Sequence, residues 1–249
     1  MKHIYAFENK EEYEQHAGVI DKFREQLEDY QKHLEEKFEL HDLPRGIVWT
    51  STDLATNTFS ELPIPAFTNK DMIYISPDLL SWRKLFLDQL ENERNTYIEK
   101  YYRSLSEKHL FTIVGHELTH HSDLFVDEFD DIREDSIWFE EGMCDYLSRK
   151  YILNDAEFKE IVKVETELIE MFKGKYGRHG LDEFGHASYQ GSLTSIMFDY
   201  WRSFLAIRFL VEERFEDNIQ TLFEEYHEWN RTGRKVALTD YLEVPFLYQ

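Results

Sequence analysis

Two histidines and a glutamate stand at a spacing that suits metal-dependent hydrolysis. Residues 116 to 120 read His-Glu-Leu-Thr-His. Because an α-helix turns about 100° per residue, the imidazoles of His116 and His120 would project from one helix face, within reach of one ion. Glu117 lies beside them, where its carboxylate can accept a proton from a water molecule whose pKa a zinc ion lowers to about 7. This segment predicts a catalytic zinc site with Glu117 as general base.

A second segment, SIWFEEGMCDY (136–146), supplies a third ligand. Ser136 can cap a helix that carries Glu141 and, one turn later, Asp145 on the same face. A zinc ion held by two neutral imidazoles takes one carboxylate and keeps a fourth position for water. We therefore expect one Zn²⁺ per chain, with Glu141 as the third ligand. Asp145 could accept the other ring N–H of a ligating imidazole, which would orient the ring. Glu140 is the rival third ligand, but the helical spacing to Asp145 favours Glu141.

Together these segments resemble the gluzincin zinc metallopeptidases, in which HExxH on one helix is followed by a ligand glutamate on the next. Twenty residues separate His120 from Glu141, and Glu141-Gly-Met-Cys-Asp145 matches the E-x-x-x-D pattern of thermolysin-like enzymes. The pattern W-x-x-E-G-x-x-x-Y, from Trp138 to Tyr146, is similar to a segment of the aminopeptidase branch. The clear resemblance covers about residues 105 to 150. It implies a peptide or protein substrate, and it again favours the glutamate that directly precedes the glycine.

Two differences from related peptidases narrow the expected class of enzyme. The sequence has no G-x-M-E-N segment, the amine-binding signature of the aminopeptidase branch, so endopeptidase activity is slightly favoured over aminopeptidase activity. Metzincins carry a third histidine six residues after the second one, and that position is Val126 here. The metzincin branch is therefore excluded.

A hydrogen-bond donor opposite the metal would stabilise the oxyanion that forms during hydrolysis. The segment GHASYQG (185–191) offers His186 and Tyr189 at the start of a predicted long helix. The resemblance favours Tyr189. His179 is a third candidate, and packing of an aromatic residue at a helix start is the alternative interpretation of this segment.

Two other classes of protein remain compatible with these motifs. The first is a zinc-binding interaction protein of the same fold that hydrolyses nothing. The second is an acidic helical protein in which the motif is accidental. Glu117→Gln separates the enzyme from the first, and the effect of a chelator on melting tests the second.

The elements around the motifs predict an α+β fold, with a small sheet and the motif helix in front and a mainly helical part behind. Strands are expected at 46–51 and 71–76. The resemblance to gluzincins implies that the second could be an edge strand that binds extended peptide, and a purely structural strand is the alternative. Predicted helices cover 9–40, about 77–104, 107–122, 136–153, 155–175, 188–214 and 217–229. We expect one domain over 1–249, divided into an α/β part (44–125) and a helical part (136–249) with the active-site cleft between them. Residues 9–40 are a possible appended helix.

Composition excludes several other functions. Fifty Asp and Glu against 28 Lys and Arg give a net charge of −22, which would repel nucleic acid and anionic membranes. The acidic segment 122–135 lacks the pattern of a calcium loop and indicates a solvated loop. Cys144 is the single cysteine, and the first twenty residues lack an apolar signal core, so a reducing, cytoplasmic location is expected.

Overall fold

The computed structural model describes residues 1–60, 62–129, 135–185, 188–245 and 248. The chain forms two compact units. The first comprises Met1–Asp123 and Leu147–Asn154, and the second comprises Leu124–Tyr146 and Asp155–Gln249. The fold prediction is confirmed, because a small mixed sheet is combined with a mostly helical remainder.

The first unit contains a four-stranded sheet. Its strands are β1 (Lys2–Ala6), β2 (Gly46–Thr50), β3 (Ala66–Thr68) and β4 (Met72–Ile75), in the spatial order β1-β2-β4-β3. β1, β2 and β4 are parallel, and β3 is antiparallel to β4. Every residue of β2 is buried, as expected for an apolar central strand.

The expectation that the 71–76 segment forms an edge strand is wrong. β4 pairs with β2 on one side and with β3 on the other, so its backbone groups are engaged along both edges. β1 and β3 form the outer edges of the sheet. Neither was predicted, because β3 has only three residues and β1 lacks a regular alternation of buried and exposed positions.

Helices α1 to α5 belong to the first unit. They are α1 (Lys10–Lys37), α2 (Thr52–Leu54, continued by a π-helical turn Ala55–Phe59), α3 (Leu79–Asp88), α4 (Thr96–Ser104) and α5 (Glu107–Thr119). α1 runs unbroken through Gly18, and it buries Ile20, Phe23, Leu27, Tyr30 and Leu34. The ring of Phe23 lies 5.4 Å from that of Phe111 on α5. α1 is thus part of the core of this unit.

α3 and α4 replace the single helix predicted between Pro77 and residue 104. Glu91 adopts a left-handed backbone conformation (φ 53°), which ends helical geometry after α3. The side chain of Asn95 then accepts hydrogen bonds from the backbone N–H groups of Tyr97 and Ile98, at 3.0 and 3.2 Å. Asn95 is therefore an N-cap that starts a new helix.

The second unit is built from helices. Of α6 (Ile137–Ile152), the residues up to Tyr146 belong to this unit. The helices that follow are α7 (Asp155–Tyr176), α8 (Leu193–Phe209), α9 (Ile219–Arg231) and α10 (Leu238–Tyr241). Two 3₁₀ turns (Leu181–Glu183 and Ser188–Gln190) precede α8, and a π-helical turn (Leu210–Arg214) extends it. Large aromatic side chains fill the core, including Trp138, Phe139, Trp201, Tyr226 and Trp229. Among the helices that the structure describes, none has the combined length and apolar character of a membrane span.

The described ends of the acidic segment 122–135 are anchored by ion pairs. Arg234 binds Asp127 at 2.5 Å and Asp135 at 2.9 Å. Asp127 also accepts a hydrogen bond from the hydroxyl of Ser136, the residue before α6. These carboxylates are therefore held by a distant arginine, which the local composition of the segment could not reveal.

Candidate metal centre

α5 carries the two histidines of the motif and is fixed at its start by a local hydrogen bond. The backbone N–H of Ser106 donates to Nδ1 of His109 at 3.3 Å, which closes the first turn. Leu110, Phe111, Val114 and Leu118 are buried along one side of the helix. The imidazoles thus stand on a helix that packing holds rigidly, as a metal site requires.

Close packing beside His116 depends on Gly115. A Cβ atom on Gly115 would lie 2.8 Å from the side chain of Ile152 and 3.2 Å from the Tyr30 ring. A larger residue at this position would therefore require the side chains of the neighbouring helices to shift. On the same helix, the hydroxyl of Thr119 donates to the Gly115 carbonyl at 2.7 Å.

α6 carries Glu141 and is tightly packed in the second unit. A Cβ atom on Gly142 would collide with the carbonyl group of Ser203 on α8. At the start of α6, the indole N–H of Trp138 donates to Asp182 at 3.0 Å. These contacts set the height and rotation of the helix, and therefore the position of the Glu141 carboxylate.

His116, His120 and Glu141 form the cluster that could hold a metal ion. Each offers one ligand atom, and these atoms lie within 4.8 Å of one another. The two Nε2 atoms of the histidines are 3.1 Å apart, and their rings meet at 73°. Two imidazole nitrogens bound tetrahedrally to zinc at about 2.05 Å would be roughly 3.3 Å apart. The histidine pair therefore already has nearly the separation of a ligated pair.

The other predicted residues near this cluster lie on the same two helices. Glu117 is buried, with 7% of its surface exposed, so it belongs to the interior rather than to a solvated helix face. Glu141 is buried at 9%, and Glu140 at 2%. Asp145 is half-buried one turn after Glu141, and its role as the partner of an imidazole stays a prediction.

Tyr189 lies next to the carboxylate of Glu141. Its hydroxyl donates a hydrogen bond to Oε1 of Glu141 at 3.0 Å, and it is 3.1 Å from the hydroxyl of Tyr200. Burial raises the pKa of Tyr189 well above its ordinary value, and the neighbouring Glu141 carboxylate raises it further. Tyr189 is on the 3₁₀ turn Ser188–Gln190 and not in the predicted long helix. That helix, α8, begins at Leu193, with Ser192 as its N-cap. Sequence reasoning missed Tyr200, whose position in an aromatic-rich helix carries no distinguishing signal.

The remaining candidates for an oxyanion donor are placed differently. His186 lies outside the described residues. Nε2 of His179 is bonded to the buried carboxylate of Asp199 at 2.9 Å, and Arg202 binds the same carboxylate at 2.6 Å. His179 therefore takes part in a hydrogen-bonded network with Asp199 and Arg202 in the second unit.

His121 follows the motif and was not predicted to be buried. Its Nε2 lies 2.8 Å from the hydroxyl of Thr68, on the edge strand β3. Burial lowers the pKa of His121 from 6.5 to about 3, and the neighbouring His120 contributes to the same lowering. His121 is therefore a neutral ring that links α5 to the sheet.

Comparison with known proteins gives no match. No protein-family model matches this chain, and neither the curated proteins nor the solved structures gave a match.

Proposed function

We propose that this protein is a zinc-dependent peptidase of gluzincin type. The observation that carries the proposal is the approach of His116, His120 and Glu141, whose ligand atoms lie within 4.8 Å of one another. Glu117, the residue that a hydrolase of this type needs as a base, directly follows the first ligand on α5. Histidines that served only to pack the core would not require the buried carboxylates of Glu117 and Glu141.

The donor set fits zinc. Two imidazoles and one carboxylate form the His₂Glu set of catalytic zinc sites, which keeps a fourth position open. When bound, a zinc ion lowers the pKa of a water molecule that it holds to about 7 and polarises the substrate carbonyl. His116, His120 and Glu141 are the residues that would hold the ion, one per chain.

Glu117 carries out the proton transfers in this proposal. Its carboxylate accepts a proton from the attacking water and then delivers that proton to the nitrogen of the leaving amine. Because α5 is packed along its length, the base keeps a fixed position relative to the two histidines. This fixed position is what a general base needs.

Tyr189 is the residue that we propose for stabilising the oxyanion. Its hydroxyl is beside the ligand Glu141 and carries a proton that it can donate. Asp145 would orient one imidazole, and His186 remains the alternative donor.

The proposed substrate is a peptide or protein, cleaved internally. The net charge of −22 favours basic substrates over nucleic acid or anionic lipid surfaces. A cytoplasmic location belongs to the proposal, since the single cysteine, Cys144, is buried and has no second cysteine in the chain to pair with.

The experiment is turnover of a mixed peptide library by the zinc-loaded protein and by Glu117→Gln. We expect the variant to retain its zinc and to lose at least about a hundredfold in rate, since a general base contributes roughly 10²- to 10⁴-fold. Glu107→Gln is the matched control, because Glu107 is on the same helix but pairs with Lys22 at the surface. The control should cleave like the wild type. Retained zinc without turnover in any of the three proteins would instead indicate a zinc-binding interaction protein.

A further inference from the structure

Two tyrosines form a hydrogen-bonded chain that ends on Glu141. The hydroxyl of Tyr200, on α8, lies 3.1 Å from that of Tyr189, which in turn donates to Oε1 of Glu141 at 3.0 Å. All three residues belong to the second unit. The chain therefore connects the predicted metal ligand to the framework of α8.

The direction of the hydrogen bonds follows from the number of protons. An ionised carboxylate only accepts, so the single hydroxyl proton of Tyr189 goes to Glu141. Tyr189 then has only lone pairs left for its other neighbour, and Tyr200 must donate to it. Because hydrogen bonds in such a chain polarise one another, donation by Tyr200 strengthens the bond from Tyr189 to the carboxylate.

The two rings are held in place by a shared aromatic partner. Phe184, which is fully buried, lies 5.7 Å from the ring of Tyr189 and 5.3 Å from that of Tyr200. Tyr200 is fixed by the long helix α8, whereas Tyr189 is on a short 3₁₀ turn. Tyr200 thus ties the hydroxyl of Tyr189 to a long, packed helix.

We infer that Tyr200 is a positioning residue for the metal ligand Glu141, acting through Tyr189. The inference rests on the metal site of the proposed function. Carboxylates that ligate a metal are themselves held by hydrogen bonds, and loss of such a partner weakens metal binding by about 10- to 100-fold. In this arrangement the hydroxyl of Tyr189 donates to Glu141. It must break that hydrogen bond before it can donate to an oxyanion.

The test measures Zn²⁺ affinity by competition with a chromophoric chelator for wild type, Tyr189→Phe, Tyr200→Phe and the double variant. Tyr176→Phe is the matched control, because its hydroxyl bonds to Ser192 at the surface. We expect about a tenfold or greater loss in Tyr189→Phe and a smaller loss in Tyr200→Phe. Since Tyr200 acts through Tyr189, the double variant should bind like Tyr189→Phe alone. The visible spectrum of bound Co²⁺, which reports the ligand arrangement, should change in both single variants and stay unchanged in the control.

The outcomes separate this inference from the proposed function. If the wild type binds Zn²⁺ and both single variants match it, the inference is wrong and the proposed metal site stands. Additive losses in the double variant would also overturn it, because they would show that Tyr200 acts independently of Tyr189. If the wild type binds no Zn²⁺, both the inference and the proposed function fail. Equal melting temperatures of the metal-free variants would show that altered affinity is not a folding defect.

Discussion

The hydroxyl of Tyr30 on α1 lies 2.8 Å from the hydroxyl of Thr119 on α5, in the buried interior of the first unit. Thr119 comes directly before His120, and its own hydroxyl bonds to the carbonyl of Gly115. The long N-terminal helix therefore supports the end of the helix that carries both histidines. This hydrogen bond adds to the packing of α1 in the core of the first unit.

Replacing Tyr30 with phenylalanine should lower the free energy of unfolding by about 1 to 2 kcal/mol, since one buried hydrogen bond is lost while Thr119 keeps its bond to Gly115. Urea unfolding of the metal-free protein measures the change. Tyr151→Phe is the matched control, because Tyr151 is 44% exposed. Equal losses in the two variants would show that the Tyr30 hydroxyl has no special role.

Gly142→Ala should destabilise the protein by about 1 to 3 kcal/mol, because the added methyl group would strike the Ser203 carbonyl and force α6 away from α8. Gly18→Ala should change the stability in the opposite direction. Gly18 is inside α1, and a methyl group added there would meet no other atom within 4 Å, so alanine should stabilise the helix by up to about 1 kcal/mol. A neutral effect of Gly142→Ala on urea unfolding would contradict the close packing of the two helices.

The buried neutral ring of His121 should make the metal-free protein sensitive to acid. Below about pH 6.5 the unfolded chain takes up a proton on this ring, whereas the folded protein takes it up only near pH 3. Stability should therefore be unaffected by this ring above pH 6.5, and it should fall by up to about 1.4 kcal/mol per pH unit below that value. His121→Gln removes the titrating group, so its unfolding free energy should depend less on pH between 6 and 4. Parallel pH profiles for the two proteins would refute this assignment.

The sequence indicated helices α6 to α9 well, because apolar residues recur every three or four positions along each of them, whereas the four-residue helix α10 was not predicted. The breaks were harder to see. Asn95 and Ser192 start new helices through side-chain bonds to the backbone, and such bonds compete with a continuous apolar pattern. The short edge strands β1 and β3 depend on pairing with distant partners, which periodicity cannot reveal.

Among the site residues, those set by local spacing were predicted, and contacts between distant segments were not. His116, His120 and Glu141 were found because local spacing determines which helix face each occupies. The chain from Tyr200 through Tyr189 to Glu141 depends instead on the packing of a 3₁₀ turn against α8. The bond between His121 and Thr68 also joins residues far apart in sequence. Neither of these contacts produces a pattern within a single segment of the sequence.

The metal content of the purified protein shows most directly whether His116, His120 and Glu141 form a zinc site. Elemental mass spectrometry would compare wild type, Glu141→Gln and Glu140→Gln after identical purification and exposure to Zn²⁺. We predict about one zinc per chain in the wild type and in Glu140→Gln, and a marked loss in Glu141→Gln, since Glu141 and not Glu140 is part of the ligand cluster. Absence of zinc from the folded wild type, or full zinc occupancy in Glu141→Gln, would contradict a zinc site formed by these three residues.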